Sequence, residues 1–152
     1  MTRALRLLAT IGLVTLAVAL EVSARAQAQK SLYERLGGKA AIVAVVDDFV
    51  ANCAADMRIN TFFAVTAADK NRLAAFKNKL VDQICQATGG PCIYIGRSMK
   101  TTHAGLGITE SDWDLTVKHL IASLDKFKVP EKEKNEFLAL ASSLKPDIVE
   151  KK

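Results

Sequence analysis

The stretch Gly89-Gly90-Pro91-Cys92-Ile93-Tyr94-Ile95-Gly96-Arg97-Ser98-Met99-Lys100-Thr101-Thr102-His103-Ala104-Gly105-Leu106-Gly107-Ile108-Thr109 separates two strong helical patterns. Its front end, Gly89-Gly90-Pro91, stops the first, because glycine accepts positive φ and proline cannot supply the N–H that a continuing helix needs. Its back end, Thr109 followed three residues later by Asp112, opens the second. Between them His103 sits in an irregular, glycine-bordered segment.

Upstream, the pattern that ends at Gly89 runs from about Ala67 to Ala87, with Thr66 or Asp69 as its cap and Leu73, Phe76, Leu80 and Ile84 on one stripe. Before it come a turn at Asp56-Met57-Arg58-Ile59-Asn60 and a short piece at Thr61-Phe62-Phe63. Ala40 to Ala54 spaces Ile42, Val45, Val46, Phe49, Val50 and Cys53 by three or four residues, which predicts a helix with Asp47, Asp48 and Asn52 on the opposite face. Ser31 and Glu34 form a capping-box signal for a short leading helix that Gly37-Gly38 stops.

Downstream, Glu110 to Lys126 carries Trp113, Val117, Leu120, Ile121 and Leu124, and Val129-Pro130 ends it. A last helix from Glu131 to about Leu144 carries Phe137, Leu138, Leu140, Ala141 and Leu144, with Pro146 as a stop and Glu150-Lys151-Lys152 as a frayed tail. No segment sustains period-two alternation. The pattern therefore predicts an all-α domain of two helix pairs.

The first residues read differently. Arg3 and Arg6 precede an apolar run, Leu7 to Leu20, and then small residues alternate through Ser23-Ala24-Arg25-Ala26-Gln27-Ala28. Residues 1–26 are thus expected to be a secretory signal peptide, cleaved after Ala26 or Ala28; an uncleaved anchor would need a longer apolar run. The expected domain spans 31–149, free of the membrane once the leader is cut, and periplasmic or secreted. Half of the 152 residues are apolar, enough for one core. The formal charge of +5 falls to +3 without the leader, and the cations are scattered, so nucleic acid is not an expected partner.

Three cysteines, Cys53, Cys85 and Cys92, leave at least one outside any intrachain pair. A Cys85–Cys92 disulfide across the glycine turn and buried free thiols are both compatible with the pattern. No two cysteines are two residues apart and neither histidine follows a Cys-x-x-Cys, so covalent haem attachment and zinc-ribbon readings have no support. Nothing resembles a Ser/His/Asp group, a phosphate loop or a tuned carboxylate pair. His103 remains, either as an exposed or capping loop histidine or as an iron ligand beside an apolar cavity. His119, between Lys118 and Leu120 in a helix, reads as a packing or surface residue.

The ordered set Leu32-Tyr33-Glu34-Arg35-Leu36-Gly37-Gly38, Val45-Val46-Asp47-Asp48-Phe49, Asn60-Thr61-Phe62-Phe63, Gly89-Gly90-Pro91, Tyr94, Gly96, Met99 and His103-Ala104-Gly105-Leu106-Gly107-Ile108-Thr109 resembles the truncated haemoglobins of the first group. The resemblance covers nearly the whole chain after the leader. It implies a two-over-two helical sandwich around non-covalent haem b. It also implies that His103 is the proximal iron ligand, that Phe63 packs on the haem face, and that Phe49, Leu73, Phe76, Leu80, Ile84, Tyr94 and Met99 line the haem pocket or its ligand tunnel. Arg97 or Lys100 is placed to pair with a haem propionate. Lys79 stands where some family members supply a sixth ligand; the competing reading is a lysine solvated at the haem rim.

The other side of the pocket departs from the family. Val50 replaces the usual tyrosine, and Phe76 and Leu80 replace the usual glutamines. A bound gas that gains negative charge is held by donors, at about 1 kcal/mol or more per hydrogen bond, and these three side chains offer none. The expectation is reversible binding of a diatomic gas (O2, CO or NO), for storage, transport or sensing, by a monomer or weak dimer. The alternative is a haem enzyme, a nitric oxide dioxygenase or a peroxidase-like activity, which would need an electron-transfer partner that the sequence does not name.

Overall fold

A computed structural model describes residues 30–151, and the leader expected over 1–26 lies outside them. Among the described residues the secondary structure is helical: α1 (Leu32–Arg35), α2 (Gly38–Ala55), a 3-10 turn (Asn60–Phe62), α3 (Ala64–Ala67), α4 (Lys70–Ala87), α5 (Met99–His103), α6 (Glu110–Lys126), α7 (Glu131–Ser143) and α8 (Lys145–Ile148). No helix among them is long and apolar enough to cross a membrane.

The capping chemistry is where the residue pattern put it. Ser31 and Glu34 close a capping box on α1, and Thr109 and Asp112 close one on α6. Asp69, rather than Thr66, caps α4 by accepting from the Arg72 N–H at 2.7 Å. The piece before it is a separate one-turn helix, α3.

Helix α2 is the centre of the fold, packed between α4 and α6. Ile42, Val46 and Val50 meet Val81 of α4 in one cluster, while Val45 joins Leu32, Leu120, Leu124 and Phe137 in a second. Burial of each such side chain contributes about 1.5–3 kcal/mol. Because α2 is covered on two sides, the face that carries Asp48 and Asn52 is not wholly solvated. Asp48 accepts from Ser123 Oγ at 2.8 Å and from Asn52 Nδ2 at 3.0 Å, and also pairs with Lys126. Ser123 is fully buried. The Lys126 ammonium, and then the Ser123 hydroxyl, hold the Asp48 carboxyl below its usual range. Asp47 does face outward, toward Lys77 of α4 at 2.9 Å.

The glycine pair at the end of α4 plays two roles. Gly89 takes φ +82°, whereas Gly90 does not take positive φ. A Cβ on Gly90 would lie 2.6 Å from the Tyr33 ring and 2.7 Å from Cys85 Sγ, so this position is small because two elements approach it closely. Tyr33 N–H donates to the Thr88 carbonyl at 2.8 Å and thereby ties α1 to the same corner.

At the C-terminus one expectation is extended and one corrected. Helix α7 ends at Ser143, short of Pro146 as expected, but Pro146 also sits in the first turn of a further helix, α8, where its missing N–H would have no intrahelical partner. The described residues after α8, up to Lys151, are not frayed. Thr109 and Lys151 form a parallel bridge, and Glu150 and Lys151 donate backbone N–H groups to the Ile108 carbonyl at 2.9 and 3.1 Å.

Candidate functional site

The segment around His103 is more regular than its glycines indicate. Met99–His103 forms α5, capped by Ser98, whose Oγ accepts from Thr101 N–H at 3.2 Å. The Ser98-Met99-Lys100-Thr101 spacing carried this signal, but five residues are too few for periodicity to register.

His103 is the last residue of α5 and is half-buried. Its Nδ1 lies 2.8 Å from the carbonyl oxygen of Met99, one turn back. A carbonyl only accepts, so Nδ1 carries a proton and donates; in the tautomer with that single proton the lone pair lies on Nε2. An imidazole held at Nδ1 by a carbonyl, with Nε2 left basic, has the form that metal-ligating histidines take.

A wall of apolar side chains accompanies it in the fold. Phe49 of α2 and Leu73, Phe76, Leu80 and Ile84 of α4 pack on the Ile42–Val46–Val50–Val81 cluster, yet each remains only partly buried. Phe63 meets Phe76 edge-on, with ring centroids 6.3 Å apart. Val50, at 2% exposure, belongs to the cluster behind this wall. None of these ten side chains, the four of the cluster included, bears a polar group. An apolar pocket of about 130 Å³, partly open to solvent, lies beside this core, lined by Leu36, Ile42, Val45, Ile84 and Phe137 among others.

The connection from α4 to α5 is stapled. Cys85 and Cys92 form a disulfide with Cα atoms 5.7 Å apart, which resolves the two compatible readings of these cysteines. Cys53 is free and buried, its thiol pushed up to about 12 by desolvation and then by the charge of Asp56. Tyr94 is half-buried and serves the connection itself: its N–H donates to Gln86 Oε1 at 2.6 Å and its hydroxyl to the Arg97 carbonyl at 2.9 Å. Met99 is half-buried, while Lys79, Arg97 and Lys100 are exposed.

His119 lies elsewhere, with Nε2 2.8 Å from Asp56 Oδ2. Arg58, and then His119, hold the Asp56 carboxyl well below the usual carboxylate range. The residue pattern missed one contributor near His103. Glu150 accepts the N–H of Gly105 at 2.7 Å and of Gly107 at 2.6 Å, and these bonds hold its carboxyl below the usual range. No local signal could have revealed it, because the partners are more than forty positions apart.

Residues 31–150 match the Bacterial-like globin family. The group 1 truncated hemoglobin of Mycolicibacterium paratuberculosis is 37% identical over 118 residues, covering 78% of this chain and 83% of that protein. The chain belongs to the group 1 truncated haemoglobins. The solved truncated hemoglobin of Tetrahymena pyriformis in the Fe(III) form superposes with a TM-score of 0.70 at 26% identity, covering 79% of this chain and 98% of that one. The 2/2 hemoglobin of Synechococcus sp., solved in the cyanomet state with covalently attached heme, gives 0.70 at 31% identity, with the same 79% and 98% coverage.

This truncated haemoglobin has the two-over-two helical fold, and its family's cofactor is haem. The residues present fit that group in two respects. His103 offers one basic nitrogen whose partner nitrogen is already engaged, and the α2–α4 wall offers apolar surface that the protein leaves partly uncovered.

Proposed function

We propose that this truncated haemoglobin holds haem b non-covalently, with His103 as the iron ligand, and reversibly binds a diatomic gas. The observation that carries this reading is the Nδ1–H donation from His103 to the Met99 carbonyl, which leaves Nε2 as the free donor atom. When bound, the haem supplies the iron at which O2, CO or NO is taken up.

The chain's own residues do the rest. Phe49, Phe63, Leu73, Phe76, Leu80 and Ile84 exclude water and present a flat-sided apolar surface to the porphyrin. Arg97 and Lys100, exposed on either side of the α5 N-terminus, reach the propionates at little desolvation cost. Lys79 is exposed and stays solvated at the rim rather than ligating iron. The absence of donors on Val50, Phe76 and Leu80 favours rapid exchange of gas over its long retention, and weighs against a dioxygenase that must hold oxygen until a second substrate arrives. Non-covalent attachment is supported by the state of the nucleophiles: Cys85 and Cys92 are joined, Cys53 is buried and protonated, and His119 is engaged by Asp56.

The reading extends to location. A leader-like start and a closed disulfide both favour an oxidising compartment outside the cytoplasm.

One set of absorption spectra tests the proposal. Purified protein is expected to show a haem Soret band that shifts with CO in the ferrous form, and a ferric spectrum unchanged by Lys79→Ala. His103→Ala should lose the ferrous spectrum of an imidazole-bound haem. Identical ferrous spectra for H103A and wild type would overturn the assignment of His103.

A further inference from the structure

We propose that Glu150 is a positioning residue for the imidazole of His103, acting through the loop that follows it. The proposal rests on the reading of His103 as the iron ligand.

Helix α5 has five residues, too few to hold its own orientation in water. The element it packs against most closely is α8, not the central helix α2. The aim of His103 is therefore set by the C-terminal segment and by the loop that leaves α5. That loop is coupled to the histidine at its origin, since Leu106 N–H donates to the His103 carbonyl at 3.1 Å.

One carboxylate grips the loop at two points. Glu150 Oε1 accepts from Gly105 N–H at 2.7 Å, and Oε2 accepts from Gly107 N–H at 2.6 Å. Both glycines have positive φ, +81° and +68°, which turns the two N–H groups toward the same acceptor. A carboxylate alone among uncharged and anionic side chains of this length accepts at both ends; an amide would present one donor to a second donor.

The tail that carries Glu150 is itself anchored. Its N–H and that of Lys151 reach the Ile108 carbonyl, and the Lys151 carbonyl accepts from Glu110 N–H at 3.1 Å, at the first residue of α6. The loop after His103 is thus clamped between the last residues of the chain and the start of α6. Loss of the carboxylate frees Gly105 and Gly107, and with them the carbonyl end of α5.

The experiment compares wild type, Glu150→Ala, Glu150→Gln and Lys145→Ala, each as purified haem-loaded protein. Resonance Raman spectra of the ferrous state read the iron–histidine stretch, and transfer of haem to an excess of an acceptor globin reads its retention. E150A is expected to shift and broaden the iron–histidine band and to speed haem loss several-fold, with E150Q between it and wild type. K145A removes the α8–α6 ion pair with Glu110 and disturbs the tail without touching either glycine, so its band should stay in place. Circular dichroism confirms folding, and the near-isosteric E150Q keeps the test open should E150A fold poorly. A wild-type band and haem-loss rate in E150A would overturn the proposal, as would an equal band shift in K145A. Failure of the His103 reading is separate: it appears as identical ferrous spectra for wild type and H103A.

Discussion

The ring of Phe63 meets that of Phe76 edge-on at 6.3 Å, with planes 65° apart, and so joins the short turn after α2 to the wall of α4. Phe76 also packs on the Ile42–Val46–Val50–Val81 cluster, and neither ring carries a hydrogen-bond donor.

Phe76→Gln therefore tests the donor-poor reading directly. A single new hydrogen bond to bound gas is worth about 1 kcal/mol, or roughly a fivefold slower oxygen release. Stopped-flow displacement of oxygen by CO measures it. An oxygen off-rate in F76Q equal to that of wild type would show that the distal face does not control release. The variant should also lose some stability, because edge-on ring pairs contribute about 0.5–1.5 kcal/mol beyond area burial.

Acid should loosen the joint between α2 and its neighbour α6. Asp48 and Asp56 both have depressed carboxyl pKa values in the folded chain, Asp48 chiefly through Lys126 and Asp56 chiefly through Arg58 and then His119. Depressed values mean that the unfolded chain binds protons first, so the stabilisation is complete above the ordinary value of 3.8 and is lost as pH falls below it. Asp56→Asn should melt earlier than wild type at pH 7, with the gap closing below about pH 3. A gap that persists undiminished in acid would contradict the assignment.

The Cys85–Cys92 disulfide closes a short loop, for which chain entropy predicts about 2–3 kcal/mol of stabilisation. Urea melts with and without reductant should differ by that amount. Thiol titration offers an independent count: the folded protein should react slowly, the unfolded oxidised protein should release one thiol, that of Cys53, and reduction should raise the number to three.

The apolar cavity between α2, α6 and α7 is near the size at which engineered cavities bind xenon. Ala41 is among its lining residues, and Ala41→Phe should fill it. Xenon-induced chemical-shift changes centred on Ile42, Val45 and Ile84 in wild type, and their disappearance in A41F, would establish a site for small apolar gases. Unperturbed resonances under xenon would rule it out.

Most of the helices were legible because their signals are local. The three-and-four spacing of Ile42, Val45, Val46, Phe49, Val50 and Cys53 needs only a few turns of chain to read, and the caps at Ser31 and Thr109 need four residues. Helix α5 escaped because it is shorter than the window that periodicity requires, and α8 escaped because the proline that follows one helix also starts the next.

His103, the apolar stripe Leu73–Phe76–Leu80–Ile84 and the missing donors at Val50, Phe76 and Leu80 are properties of residue type and local spacing, and they carry the family and the chemistry of the pocket. Other features depend on which distant groups meet. Asp48 turns toward Ser123 because α6 covers that side of α2, and Cys85 reaches Cys92 because the chain reverses at Gly89 and Gly90. Glu150 finds Gly105 and Gly107 only when α8 has brought the tail back beside α5. Side-chain periodicity is set along the chain, whereas a hydrogen bond between remote positions forms only after packing has brought its partners together; for this protein the iron-ligand candidate belongs to the first kind and the clamp that aims it to the second.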